Sequence, residues 1–142
     1  MESSIKSIIT VETEINAPLE AVWKCWTTPE DIVKWNNASD DWCTTRATND
    51  LKVGGKFSYR MEAKDGSFGF DFEGTYTKVA LNHQISFVLE DERSVNLVFT
   101  AIQDKTSISE EFETEHTHPA DQQKFGWQSI LNNFRNYVET NL

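Results

Sequence analysis

The sequence predicts an α+β domain in which a curved antiparallel sheet wraps around a long C-terminal helix, with two short helices after the first strand. Three observations carry this expectation. Between residues 42 and 112, apolar and polar residues alternate with a period of two, interrupted by short turns. Beyond Pro119 the period changes, and apolar residues recur three and four apart to the end of the chain. Ahead of the alternating region stand two short apolar-faced stretches, each headed by a proline.

Each element has its own local reason. From Ile5 to Ile15 the residues are β-branched and partly alternating, which predicts a strand. Asn16-Ala17-Pro18 ends it, and Pro18 suits a first helical turn capped near Asn16 or Ala17. Leu19, Val22, Trp23 and Trp26 then form one apolar helical face. Pro29 opens a second short helix, with Ile32, Val33 and Trp35 on its inner side.

Trp42–Ala47 is the next expected strand. Gly54-Gly55 leads into Lys56–Ala63, where Phe57, Tyr59 and Met61 share one face. Asp65-Gly66 signals a hairpin turn, and the return strand puts Phe68, Phe70 and Phe72 on one side. Gly74 within that strand predicts a bulge or a close backbone approach. Asn82-His83, Asp91-Glu92-Arg93 and Asp104-Lys105 mark three further turns. They separate strands carrying Ile85, Phe87 and Leu89, then Val95, Leu97 and Phe99, then Ile108 and Phe112. The last helix is expected to start at Pro119 behind a Thr117 or His118 cap. Its buried side is Trp127, Ile130, Leu131, Phe134, Tyr137 and Val138.

The chain has 142 residues, the size of one domain, and the reading takes residues 1–142 as a single unit. Leu, Ile, Val and Phe make up roughly a quarter of it, above the range of disordered chains. The net charge of −10 repels a phosphate backbone and an anionic membrane surface alike. Nucleic acid is therefore excluded as a partner. No apolar run approaches the ~20 residues that span a bilayer, so membrane insertion is excluded as well. The start of the chain lacks the pattern of a signal peptide, and Cys25 and Cys43 are too few for a disulfide scaffold. The expectation is a cytoplasmic protein with reduced thiols. The acidic block Glu90-Asp91-Glu92 with Glu110, Glu111, Glu113 and Glu115 reads as a solvated sheet face or as a docking surface for a basic partner.

Candidate chemistry is sparse. His116-Thr117-His118 sets two imidazoles two apart, but no further ligand has zinc-site spacing, and a polar strand-to-helix corner explains the pair as well. There is no nucleophile elbow or phosphate-binding glycine loop. Cys25 sits on an apolar helical face between two tryptophans, the setting of an unreactive buried thiol. Neither a metal nor any other cofactor is implied, and no residue is assigned a catalytic role.

Glu110 is the exception to this plainness. Strand parity places it between Ile108 and Phe112 on the inner, apolar face. A carboxylate there is costly unless it is paired or protonated. It can orient a ligand or act as a general base, or it can mark a strand end that reaches water or a bulge that breaks the parity. Tyr59, inward by the same parity, brings a phenol to the same interior.

The residues also carry a resemblance. Ala17-Pro18-Leu19-Glu20-Ala21-Val22-Trp23 is followed by Thr28-Pro29-Glu30 before Trp35, by Val53-Gly54-Gly55-Lys56-Phe57, by Asp65-Gly66 and by Gly74-Thr75-Tyr76. Gly126-Trp127 with Leu131, Phe134 and Tyr137 completes the series. In order and spacing this resembles the activator-of-heat-shock-protein-ATPase-like family of the START-like, birch-pollen-allergen-like superfamily (also called SRPBCC), over essentially the whole chain. The resemblance implies the helix-grip fold. Known members of the superfamily include lipid carriers, hormone receptors, polyketide cyclases and small bacterial proteins of unknown role. The chaperone activators of eukaryotes are larger, and this chain is more similar to the stand-alone bacterial members.

The expected function is binding of a small apolar or amphipathic molecule between sheet and C-terminal helix. Trp35, Tyr59, Phe70, Glu110 and Trp127 are the expected wall of that site, while Phe57, Phe72, Phe87, Phe99 and Phe134 are mostly core. A cyclase- or hydratase-like enzyme using the same cavity is the alternative. A chaperone partner is left open by the resemblance without support from the residues, and the chain is expected to be a monomer or a weak homodimer.

Overall fold

A computed structural model describes residues 7–141; the part of the first expected strand at Ile5 and Lys6 lies outside the described residues. The elements follow in the order β1 (Ile8–Ile15), α1 (Leu19–Thr27), α2 (Pro29–Trp35), β2 (Trp42–Asn49), β3 (Lys56–Ala63), β4 (Gly69–Ala80), β5 (Gln84–Leu89), β6 (Ser94–Ile102), β7 (Lys105–Glu113) and α3 (Ala120–Thr140). All seven strands form one antiparallel sheet in the order β1-β7-β6-β5-β4-β3-β2. Six of the strands form a simple meander, and β1 returns to pair with the last of them. The sheet curls into a half-barrel around α3, which is the α+β helix-grip architecture.

The turns behave as their residues demand. Gly66 and Asn82 both adopt positive φ, at 79° and 59°, where glycine is free and asparagine is tolerated. Gly74 serves close approach. A Cβ there would lie 2.7 Å from the Phe57 ring and 2.9 Å from the Val88 carbonyl. The bulge in β4 is a separate feature, between Tyr76 and Lys78.

Three details differ from the sequence expectation. β2 runs two residues further, to Asn49, because Ala47, Thr48 and Asn49 pair with Tyr59, Ser58 and Phe57. Pro18 and Pro119 each stand one position before their helix rather than inside it, with extended ψ values of 154° and 147°. Neither helix has a side-chain cap bond, so the Asn16/Ala17 and Thr117/His118 caps are not realised. Phe68 falls beyond the start of β4 and is largely exposed rather than sharing an inner face with Phe72.

The core lies between the concave sheet face and the helices. Leu131, Phe134 and Val138 of α3 are fully buried, at the spacing of one helical face. Trp26, Trp35 and Phe134 form a compact aromatic cluster with centroids 4.7–4.8 Å apart. Polar ties fix the helices to one another. The Trp35 indole donates to the Cys25 carbonyl, and Asn133 of α3 donates to the Trp35 carbonyl. Asp31 accepts from the Tyr137 hydroxyl and lies 3.6 Å from the Lys24 ammonium. These contacts hold α3 along the half-barrel.

Candidate functional site

The curled sheet and α3 do not close on each other completely. A cavity of about 290 Å³ remains between them. It extends from Trp26 and Trp35 at the helical end to Met61 and Phe70 at the β3–β4 end. Size and lining match the small end of ligand pockets, which are mostly apolar with a few convergent polar groups.

Alternation along β7 brings Glu110 inward, as its parity predicts. It is 6% exposed, and its neighbours on the strand face are Ile108 and Phe112, both fully buried. Across the sheet it pairs in register with Val11 of β1 and Leu97 of β6, which are buried too. Four apolar residues thus surround it within the sheet, and among the described residues none hydrogen-bonds to its carboxyl. Burial alone pushes that carboxyl up to about 8. Near neutrality it holds its proton.

Tyr59 of β3 is buried, with its phenol pushed well up by burial and, to a lesser degree, by Tyr76 and Glu110. Tyr76 of β4 donates its hydroxyl proton to Asn49. The Asn49 amide is oriented by its own donation to the Thr27 carbonyl. The Tyr76 proton is therefore committed, and Tyr76 offers Tyr59 only lone pairs.

Trp127 enters from α3. Its indole stacks flat on Phe112, with centroids 4.0 Å apart and planes 9° apart. It also meets Phe72 of β4 edge-on at 6.2 Å. One side chain thus bridges opposite walls of the half-barrel. Trp35 closes the helical end; its indole N–H is already used on Cys25, so it offers a ligand only apolar surface.

Phe70 stands at the rim. It is 39% exposed and packs near Trp42 and Phe68, at 6.0 and 6.3 Å. It lines the cavity mouth rather than the interior wall expected of it. All five expected residues border one cavity, four of them inside it.

The polar strand-to-helix corner offered as one reading of His116-Thr117-His118 forms at the mouth, but sequence reasoning missed Gln123, which ties it together. The Gln123 amide of α3 donates to the carbonyls of Glu115 and His118 and accepts from the Glu115 N–H. The Glu115 carboxylate accepts from the His118 N–H and lies 3.1 Å from its Nδ1. The inward face of Gln123 was legible, since it stands four residues before Trp127 on the same side of α3, but its loop partners were not. His118 is thus held in a strand-to-helix corner. Among the described residues no group of three His, Cys, Asp or Glu could hold a metal ion. Arg93, on the β5–β6 turn, also reaches the cavity and is held by Asp91 at 2.7 Å. Tyr76 was missed as a lining residue although Phe70, Phe72 and Gly74 put it on the same parity. Cys25 is buried, and burial raises its thiol, as expected of an inert cysteine.

Comparison with known proteins agrees with this geometry. The solution structure of an AHSA1-like protein from Aeromonas hydrophila superposes with a TM-score of 0.89 at 46% identity, covering 94% of this chain and 93% of that one. A protein from Cytophaga hutchinsonii gives 0.81 at 48% identity, covering 94% and 92%. A Chromobacterium violaceum protein shares the fold alone, with a TM-score of 0.84 at 18% identity over 94% and 98%. No curated protein matches the sequence. The profile of the family described as Activator of Hsp90 ATPase homolog 1-like protein matches residues 16–139. On that match and on the two relatives above 40% identity, the chain belongs to the Activator of Hsp90 ATPase homolog 1-like family.

Proposed function

We propose that this protein binds a small, mainly apolar molecule in the cavity between the sheet and α3, without transforming it. The observation that carries the reading is the combination of a preformed, aromatic-walled cavity and one buried carboxyl with no protein partner. A buried polar group is ordinarily hydrogen-bonded. Its missing partner is what a ligand supplies. An amphipathic molecule fits, its apolar body against Trp35 and Trp127 and its polar group toward Glu110 and Tyr59. Phe70, at the rim, meets it on entry.

Catalysis by the same cavity is the weaker reading. A general base needs a pKa near working pH and a partner to shuttle its proton. Glu110 has the first, but the buried titratable groups beside it are two phenols with raised pKa values, while Glu115 and His118 at the mouth are paired with each other. A chaperone partner has only the family's name behind it. Two cysteines without a disulfide fit a reducing compartment, so the cytoplasm is the proposed setting, with the protein acting as a monomer or weak dimer.

Native and denaturing mass spectra of freshly purified protein test the proposal. The expected result is an added mass below about 500 Da that vanishes on denaturation, and that is lost in an Ile130→Trp variant whose indole fills the cavity. Retention of the added mass in a folded Ile130→Trp variant would show that the molecule binds elsewhere.

A further inference from the structure

Resting on the binding reading above, we propose that the ligand is a small organic amine, its ammonium group seated at Glu110 and its apolar body among the aromatic walls. The argument starts from what the polar end of the cavity offers. The Tyr76 hydroxyl donates to Asn49, so its proton is committed there. Once Glu110 gives up its proton, its carboxylate presents acceptor oxygens that no described protein group fills, and the Tyr59 oxygen adds lone pairs to the same cavity. A group rich in acceptors is matched by a group rich in donors, and an ammonium carries up to three N–H donors and no acceptor.

Charge points the same way. The charged or titratable groups that face Glu110 across the cavity are Tyr59 from β3, Tyr76 from β4, Arg93 from the β5–β6 turn, and Glu115 and His118 from the loop before α3. Arg93 is held by Asp91, and His118 by Glu115. The α3 side contributes Gln123, Trp127 and Ile130, and β1 and β6 contribute Val11 and Leu97, all uncharged. No cation inside already serves Glu110. The net charge of −10 favours approach of a cation over an anion.

The surroundings suit an ammonium as well. Rings of Tyr59, Phe72 and Trp127 contact one another in a chain that ends on Phe112, two residues from Glu110 on the same strand face. Aromatic faces attract cations, most strongly in desolvated sites. Folding has already buried Glu110, so that part of the desolvation cost precedes binding. On binding, Glu110 releases its proton to solvent while the ammonium keeps its own. One proton therefore leaves per ligand bound wherever the free site is protonated.

Three probes with one body separate the possibilities: 4-phenylbutylamine, 4-phenylbutan-1-ol and 4-phenylbutanoate. Calorimetric titration in two buffers of different ionisation enthalpy gives both affinity and protons released. We expect the amine to bind at least about tenfold more tightly than the alcohol at pH 8. Its affinity should rise close to tenfold per pH unit from about pH 6, levelling off near the Glu110 value of about 8, with nearly one proton released at pH 6.5. Glu110→Gln should lose the preference for the amine over the alcohol and release no proton on binding the amine. An alcohol that binds as tightly as the amine, or amine binding without proton release, would overturn the amine assignment while leaving the cavity as a binding site. Failure of all three probes would overturn the assignment together with the binding reading.

Discussion

At Glu110 the fold accepts a cost that no structural contact offsets. The carboxyl sits among Val11, Leu97, Ile108 and Phe112 and titrates at about 8, against 4.5 for an unperturbed glutamate. Between those pH values the native state keeps a proton that the unfolded chain has released. Stability from this residue is therefore full below about pH 4.5 and declines as pH rises toward about 8, by roughly 3 kcal/mol at pH 7. Glu110→Gln keeps the shape and removes the titration. Thermal melts across pH 5 to 8.5 should show the variant gaining on the parent as pH rises. Parallel curves would mean the carboxyl is solvated or paired in solution. Glu110 was legible from sequence because one parity argument on β7 suffices to aim it. Phe70 was not, because parity fixes a face but not whether that stretch of the face is covered. Near the β3–β4 turn that face is left uncovered, and Phe70 and Phe68 meet solvent.

At the scale of elements, α3 and β4 set the width of the cavity. Trp127 holds α3 off the sheet by lying flat on Phe112 and touching Phe72. Trp127→Ala should lower stability by roughly 2–4 kcal/mol, with the larger effect on ligand affinity, as denaturant melts and titrations would show. On β4, Gly74 admits the Phe57 ring. Gly74→Ala drives a methyl into that ring and into the Val88 carbonyl, and should cost roughly 1–3 kcal/mol by chemical denaturation. An unchanged midpoint would show that β4 can shift away from β3. The order and type of these elements followed from period and punctuation. The cap positions did not, because Pro18 and Pro119 satisfy φ on either side of a helix boundary, and only ψ separates the two. The polar corner at the cavity mouth depends on Gln123 meeting a loop eight residues upstream at Glu115, a contact that no local pattern encodes.

For the whole molecule, the question is whether a half-barrel of this composition closes on its helix or holds a space for something else. Its aromatic side chains could fill such a volume, and the sequence cannot distinguish a filled interior from an open one. That difference lies in how far the sheet curls, which emerges from all five meander turns together. The five tryptophans give a direct readout, because three of them, Trp26, Trp35 and Trp127, line the cavity, while Trp23 packs on Phe99 and Trp42 lies by the rim at Phe68. A nitrogen-15 correlation spectrum of the indole N–H groups, titrated with 4-phenylbutan-1-ol, uses a neutral probe and so is independent of the amine assignment. The account predicts that the signals of Trp26, Trp35 and Trp127 shift together along one saturating curve while that of Trp23 stays in place. Shifts confined to Trp42, or none at concentrations that saturate other apolar pockets, would contradict it.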